Sequence, residues 1–507
     1  MFTFDLKSGY HHNDIFVEHW QYLGFSWIEN GVTYFYVFVV LPFGLSTAGQ
    51  IFTKVCRVPI KTWRRQGIRI VQYLDDGIGA ASGGTVRATA QLVKASLQAA
   101  GFVINMEKSV WEPTQLVTWL GIVINTRSFT IKITQKRIEK TTKKMQQLLA
   151  KKTGTARTVS SAAGSVVSQE VVLGPVVLLF CRNMYAFIRR ARNWDHVRVL
   201  PLSVREELEF WMRNIDDLNE KHLRVQGPPV KIKTLANSDA SDFAGGAVLR
   251  IGEVAHTAHK NLTVLERSLS STWRELDAIL FSLKSFAPLL RHRSVAWATD
   301  NEPATRIIRK GSKRPHLQEL AREIYVTARS NNINLHVAWI PRELNREADC
   351  LSKEIDYDDW CTTAALFDEL DHAWGPHTID RFASSKNAKT RRFNSRMWTP
   401  GCEAVNAFAQ DWGGEFNWVV PPVSMIPDVI EHARECAATG TLIVPFWQSA
   451  PFWPMLLRGS QSFERFVRDI KIYPKARGLL QLGDFKRSLL GSSRFKSPLV
   501  AIQFSFQ

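Results

Sequence analysis

The sequence predicts a multidomain protein that mixes α+β and α/β architecture. Its 507 residues exceed one ordinary domain. Strand-like runs of alternating apolar residues are followed again and again by helix-period stretches. Acidic residues recur at the ends of the strand-like runs, in two separate constellations. A hydrophobic content of 45% is enough for packed cores.

Composition narrows the partner. Lys and Arg number 65 against 47 Asp and Glu, a net charge of +18 and a pI near 9.7. That balance points to a polyanion, although by itself it does not choose nucleic acid over an acidic membrane. Six cysteines are scattered with no Cys-x-x-Cys pair, as in reduced thiols of an intracellular protein. The expected location is the cytoplasm or nucleus, without secretion. The apolar runs Val171–Phe180 and Tyr34–Pro42 fall short of the roughly 20 residues that span a bilayer, so no membrane is expected.

The first constellation opens at Phe2-Thr3-Phe4-Asp5, a strand ending in an acid. Gln72-Tyr73-Leu74-Asp75-Asp76-Gly77-Ile78 sets two carboxylates between apolar runs. This reads as two short strands joined by a turn with both acids at its tip. Asp-Asp-Gly alone is an ordinary solvated turn. Adjacent carboxylates repel and are costly to desolvate, so a stable site gives them a cation. Hard oxygen donors suit Mg²⁺.

Further along, Thr85–Ala100 has helical periodicity, and Gly101 ends it. Phe102–Lys108 and Val117–Ile124 read as strands. Ile131–Lys152 reads as a basic helix with Lys136, Lys140, Lys143 and Lys144 on one face, suited to a phosphate backbone. Val204–Leu218 reads as a further helix, and Gly227-Pro228-Pro229 as a linker.

The second constellation has Asp239 in a strand, Glu275 near the start of a helix and Asp300 at the end of the strand beginning at Val295. Asp349 lies in the helix that follows the strand Leu335–Ile340. Strands alternating with helices predict a mixed sheet with a metal site at one edge. Each acid alone reads as a cap or surface residue. His336, on a strand, reads as structural, and His256, His259 and His292 carry no assignment.

Taken in order, Asp5, Leu41-Pro42-Phe43-Gly44-Leu45-Ser46-Thr47-Ala48 and Tyr73-Leu74-Asp75-Asp76 resemble the palm of reverse transcriptases. The resemblance implies two Mg²⁺ (Mn²⁺ as the alternative ion) held by Asp5, Asp75 and Asp76. It implies that Tyr10 excludes a ribose 2′-hydroxyl, and that Pro42, Phe43, Gly44 and Tyr73 contact template and nascent pair. Leu120 and Gly121 match the segment that supports the primer end, although a plain β-hairpin explains them equally. The order Asp239, Glu275, Asp300, Asp349 resembles ribonuclease H and implies a second pair of Mg²⁺. Pro341-Arg342-Glu343-Leu344-Asn345-Arg346-Glu347-Ala348-Asp349-Cys350-Leu351-Ser352, with Leu41–Ala48, looks most like DIRS-type, tyrosine-recombinase retrotransposons. These place a methyltransferase-like domain after ribonuclease H.

A candidate for that domain begins at Thr378-Ile379-Asp380-Arg381-Phe382-Ala383 and resembles phage DNA adenine methyltransferases. That family holds the target amine with an Asn or Asp before Pro-Pro and stacks the base on a Tyr after it. Here Val420 and Val423 flank Pro421-Pro422. Neither side chain can do either task, so a methyltransferase-like fold without ordinary methylation is expected, with a cofactor pocket near Asp380. Thr441–Phe446 reads as the next strand, and Phe446, Trp447, Phe452 and Trp453 as core.

The expected organisation is a right-hand polymerase palm at 1–125 with truncated fingers and thumb or connection helices at 126–226. A ribonuclease H-like domain would follow at 230–357, a Rossmann-like methyltransferase-like domain at 374–460 and a basic tail at 461–507. The missing fingers suggest a truncated frame or a polyprotein fragment. The expected partners are an RNA template, a DNA primer, an RNA–DNA hybrid and deoxynucleoside triphosphates. The rival readings are a non-catalytic nucleic-acid-binding remnant and a chain in which only ribonuclease H is active.

Overall fold

The computed structural model describes residues 1–223, 232–354, 360–458, 462–483 and 488–507. The expected linker Gly227-Pro228-Pro229 and the basic residues Lys486 and Arg487 lie outside them. The chain is a mixed α/β, multidomain protein that forms two compact units. One holds Met1–Val177 and Asn183–Pro228, the other Leu178–Arg182 and Pro229–Gln507.

In the first unit the strand Asp76–Ala80 lies between Phe2–Asp5 and Arg69–Tyr73, antiparallel to both. Phe2 and Phe4 are fully buried and pack with Phe52, Trp63, Val93 and Leu97 from the helices Ala48–Arg65 and Val86–Ala99. The second helix carries its buried residues at Val86, Ala90, Val93 and Leu97, the spacing of one helix face. Phe102–Lys108 is not a strand. It runs beside the end of the first strand, fastened by backbone bonds from Lys7 to Val103 and from Asn105 to Asp5.

Next comes a four-stranded sheet in the order Lys221–His222, Thr130–Ile133, Ile122–Asn125, Leu116–Trp119. The basic helix therefore starts later than the charge run suggests, at Gln135, because Ile131 and Ile133 are spent on a strand. Helix Leu202–Asn214 buries Val204, Leu208 and Trp211. The apolar stretch near Tyr34 is a strand, Val32–Val37, paired with Gly24–Glu29 and exposed at every residue. No helix among the described residues is long and apolar enough to cross a membrane.

Among the described residues the second unit has two large sheets, of five and seven strands. The first has the order Val254–Asn261, Ala244–Ile251, Thr234–Ala240, Ser294–Thr299, Asn334–Trp339. The first two pairings are antiparallel and the last two parallel. Helix Ser271–Ser285 packs Leu276, Ile279 and Leu283 onto it.

The other sheet has seven strands, in the order Ala404–Val405, Arg392–Ser395, Ile379–Asp380, Phe416–Val419, Thr439–Pro445, Leu499–Ser505, Val467–Tyr473. The first five run parallel, and Leu499–Ser505 is antiparallel to both its neighbours. The expected basic tail is therefore no tail. Val467–Tyr473 and Leu499–Ser505 complete the sheet, because Val500, Ile502 and Phe504 have a core to fill. The unit also begins before residue 374: helix Ala364–Trp374 buries Leu366 and Leu370 against Trp418 and Ile443. Phe452 and Trp453 are core, as expected, with Phe446 packed against them.

Candidate functional site

Across the first pair of strands Asp5 stands opposite Asp76. Tyr73 pairs with Asp76, so the turn is Leu74–Asp75 and Asp76 already belongs to the returning strand. This corrects the expectation that both acids sit at the tip. Leu74 takes a left-handed φ of 52°, costly without glycine, while the Gln72 amide donates to its carbonyl at 2.7 Å. Gly77 is not a turn glycine. A Cβ there would strike the Phe4 ring, and one at Gly79 the Phe2 ring. The alternation of phenylalanines and glycines lets two rings lie flat on the opposing strand, which seats Asp5 beside Asp76.

Burial first, then the charges of Asp75 and Asp5, push the Asp76 carboxyl up to about 6, and its hydrogen bond with Asp5 adds to the rise. Lys108 opposes it. Gly9 lets its chain pass close to both Phe52 and Asp75, where a Cβ would lie 2.8 Å from one and 3.4 Å from the other. Tyr10 packs tilted against Phe43 and edge-on to Phe52, with ring centroids at 5.1 and 5.4 Å. Tyr10 and the Pro42-Phe43-Gly44 segment are therefore one cluster. Pro42 is buried, Phe43 and Tyr73 are exposed, and Gly44 takes a φ of 94°.

Leu120 and Gly121 form the two-residue turn of a hairpin, both at positive φ. Arg137, which sequence reasoning missed, donates to the Leu120 carbonyl at 3.0 Å and ties that turn to the basic helix. On this helix Lys136, Lys140 and Lys143 are exposed, but Lys144 donates to Ser165 at 2.8 Å and is not available to a phosphate in this arrangement.

The second site lies at the carboxyl ends of the two central strands of the five-stranded sheet, not at its edge. Asp239, Glu275 and Asp300 each place a ligand oxygen within 4.8 Å of the others. Among the described residues no other three acids, cysteines or histidines reach that spacing, Asp5, Asp75 and Asp76 included. Asp239 and Glu275 are buried. Burial, then the charges of Asp239 and Asp300, push Glu275 up to about 9. Burial raises Asp239 as well, with the Ser352 hydroxyl opposing.

Glycine again permits the geometry. Asp239 pairs with Gly246. A Cβ at Gly246 would lie 2.6 Å from Leu351 and 2.7 Å from the Ser352 nitrogen. Close approach of helix Arg346–Ser352 brings the Ser352 hydroxyl to 2.6 Å from Asp239 Oδ2. Thr299 and the Ala240 amide donate to Glu275, each at 3.3 Å. Buried Asn345 donates to the Ser238 carbonyl at 2.9 Å. Ser352, Thr299 and Asn345 escaped the sequence reading, since no spacing marks a hydrogen-bond partner.

Asp349 is not gathered with the other three. It pairs with Arg342 at 2.8 Å and with Lys353, whose hydrogen bonds hold its carboxyl below the ordinary range. Its charge still reaches Asp239. His336 is exposed on its strand, consistent with no part in the cluster.

In the seven-stranded sheet Asp380 is buried. Burial pushes its carboxyl up to about 6, opposed by the Lys389 and Phe382 amides that donate to it. It organises the loop that follows it. The cavity nearby is lined by the next residues, Arg381 to Asn387.

Three family models match parts of the chain. Residues 1–124 match the family model described as reverse transcriptase (RNA-dependent DNA polymerase). Residues 234–355 match that described as reverse transcriptase-like, and residues 350–464 that of DNA N-6-adenine-methyltransferase (Dam). The search of curated proteins returned no match. Solved structures similar to the chain include foamy viral protease-reverse transcriptases. One, in complex with double-stranded DNA, has 17% identity over 66% of this chain and 56% of that one, at a TM-score of 0.37. Another, in complex with RNA/DNA hybrid, has 16% identity over 66% of this chain, at 0.36. The chain spans 56% and 43% of the lengths of these two relatives. Three successive segments are thus similar to a reverse transcriptase, a reverse transcriptase-like domain and an adenine methyltransferase.

Proposed function

We propose that the chain is a retrotransposon RNA-directed DNA polymerase with ribonuclease H activity, of the DIRS type. The observation that carries this reading is the presence of two acid constellations on strand ends, in the segments that match the two reverse transcriptase models. Each contains a carboxyl pushed far up by its neighbours, Asp76 to about 6 and Glu275 to about 9.

Carboxylates held this close fit a hard divalent cation such as Mg²⁺. The all-oxygen donor set suits it, and each site is short of positive charge. When bound, paired Mg²⁺ supplies activation of a hydroxyl or water and neutralises charge on the phosphate. Asp5, Asp75 and Asp76 would hold it in the first unit, and Asp239, Glu275 and Asp300 in the second, with Asp349 joining only by leaving Arg342 or Lys353. Ser352 and Thr299 orient the second set. Tyr10, propped by Phe43 and Phe52, restricts the sugar of the incoming nucleotide, while Lys136, Lys140 and Lys143 face the backbone of the duplex. Phosphoryl transfer needs this positioning and charge more than covalent chemistry.

The third portion is Rossmann-like in strand order but carries no methyl-transfer chemistry, since Val420 and Val423 offer neither a hydrogen bond nor an aromatic face to a target base. The six cysteines are all free thiols, which supports an intracellular setting in cytoplasm or nucleus.

A second reading, in which only ribonuclease H works, is favoured by one contrast. Asp239, Glu275 and Asp300 close to within 4.8 Å, and the palm acids do not. One experiment separates the readings. A labelled RNA template with a recessed DNA primer is incubated with the chain, Mg²⁺ and deoxynucleotides, and sized on a gel. Extension with RNA cutting is expected. Cutting without extension would favour the second reading, and binding without either would leave a nucleic-acid-binding remnant.

A further inference from the structure

The stretch from Ser8 to Thr53 contains no Lys or Arg, in a chain with a net charge of +18. Its acids are Asp14, Glu18 and Glu29. Within it lies the hairpin of Gly24–Glu29 and Val32–Val37, turned by Asn30 and Gly31 at φ of 51° and 79°. Two central residues at positive φ give a tight turn whose twist matches that of the strands it joins. Successive side chains of a strand point to opposite faces. Phe25 stands opposite Tyr36 and Trp27 opposite Tyr34, which puts four rings on one face. Ile28, Phe35 and Val37 lie on the other. The Phe25 and Tyr36 rings stack at 5.4 Å between centroids.

Neither face is covered. The five rings are 42–84% exposed, Phe35 the most, and Ile28, Val32 and Val37 are exposed as well. At about 150–250 Å² per aromatic side chain, the exposed part of the five rings is on the order of 600 Å². With the three aliphatic residues the hairpin offers roughly the 800 Å² that each partner gives to a stable interface. The largest apolar patch on a typical monomer is about 300–600 Å².

The edges are open too. Among the described residues the hairpin is a sheet of two strands, so each strand has an unpaired side. Such a sheet alone is marginally stable in water. Edge strands are ordinarily guarded by Lys, Pro or a bulge. Neither strand here contains Lys or Pro, and their register runs without a bulge.

Charge selects what covers this surface. Nucleic acid draws its affinity from Lys and Arg set against phosphates, and the stretch supplies neither. Two copies of so basic a chain repel where their cations meet. Between Ser8 and Thr53 they can touch without that repulsion. Charged residues are depleted, and Trp, Tyr and Phe enriched, at the centres of protein interfaces. Contact between identical patches also closes on itself as a two-fold dimer.

We infer that this hairpin is the interface between two copies of the chain, which buries Trp27 on one face and Phe35 on the other.

The test is sedimentation velocity of the full chain across the micromolar range, after nuclease treatment and in high salt, so that nucleic acid cannot bridge two copies. A species of twice 57.7 kDa is expected. Trp27→Lys and Phe35→Lys replace exposed side chains, and the far-ultraviolet circular dichroism spectrum checks that both variants fold. Each should weaken self-association by about tenfold or more. Val264→Lys, at an exposed apolar residue of the other unit, should leave it unchanged. Weakening by one of the two hairpin variants supports the inference and assigns the face. A chain that stays monomeric throughout the range would overturn it, as would a dimer unchanged in both hairpin variants or equally weakened by Val264→Lys. The readout is mass alone, so failure here leaves the polymerase and nuclease reading standing.

Discussion

The Ser352 hydroxyl donates to Asp239 Oδ2 at 2.6 Å, from a helix that can come so close only because Gly246 lacks a side chain. Groups that orient metal-binding carboxylates typically matter 10- to 100-fold for metal affinity or activity. Ser352→Ala should therefore lower RNA cutting by about 10-fold or more at limiting Mg²⁺, with recovery as Mg²⁺ rises and primer extension unaffected. Cutting rates measured across a Mg²⁺ series check this. A flat comparison with the wild type would show that Ser352 does not position Asp239.

The two acid sets predict separable losses. Asp75→Asn should abolish primer extension and spare hybrid cutting, and Asp239→Asn should do the reverse. Both are read from one gel with a labelled template. A variant that keeps its assigned activity removes that residue from the site.

Glu275 supplies a prediction about stability. Its carboxyl is raised to about 9 by burial and by Asp239 and Asp300, whereas the unfolded chain ionises near 4.5. Between these values the folded state binds the extra proton, so stability falls as pH rises through that window. Mg²⁺ should restore it at the upper end. Glu275→Gln should flatten the fall and raise Tm near pH 8 by about 2–4 °C for each 1 kcal/mol relieved, while hybrid cutting is lost. Thermal melts from pH 5 to 9, with EDTA or Mg²⁺, measure both effects.

His377 gives the opposite slope. It is buried, with Nδ1 2.7 Å from Asp371 and Nε2 2.8 Å from Thr441. Burial lowers its pKa, partly countered by Asp371. The unfolded chain takes up a proton below about 6.5 while the folded state resists, so stability drops as pH falls through that value. His377→Gln should remove this acid-side drop. Melts at pH 5 and 7 that change equally in both proteins would refute it.

Gly77→Ala tests the flat packing of Phe4 on the acidic hairpin. The new methyl group would overlap the Phe4 ring, an overpacking that typically costs about 1–3 kcal/mol. Tm of the first unit should fall, and primer extension should fall with it as Asp5 is displaced from Asp76. Hybrid cutting serves as the internal control.

Much of this architecture was legible because it is written locally. The alternation around Asp76, the helical period of Val86, Ala90, Val93 and Leu97, and the acids at strand ends are short-range patterns. Segments whose role depends on distant partners were misread. Val467–Tyr473 and Leu499–Ser505 look like a basic tail because charge dominates their neighbourhood, yet they complete a sheet whose other strands begin at Ile379. Phe102–Lys108 has strand-like composition but meets only the end of the first strand.

By itself the sequence determined which chemistry the chain can carry. It placed carboxylates on two sets of strand ends, and it put Val420 and Val423, apolar side chains, on either side of Pro421-Pro422. Tertiary structure alone decided which acids meet: Asp239, Glu275 and Asp300 converge, while Asp349 is turned to Arg342 and Lys353. It alone showed that Gly77 and Gly246 are present for close approach rather than for turning. The physical reason is range. Secondary structure follows from the nearest few residues, whereas burial, charge pairing and packing depend on groups brought together from far apart in the chain.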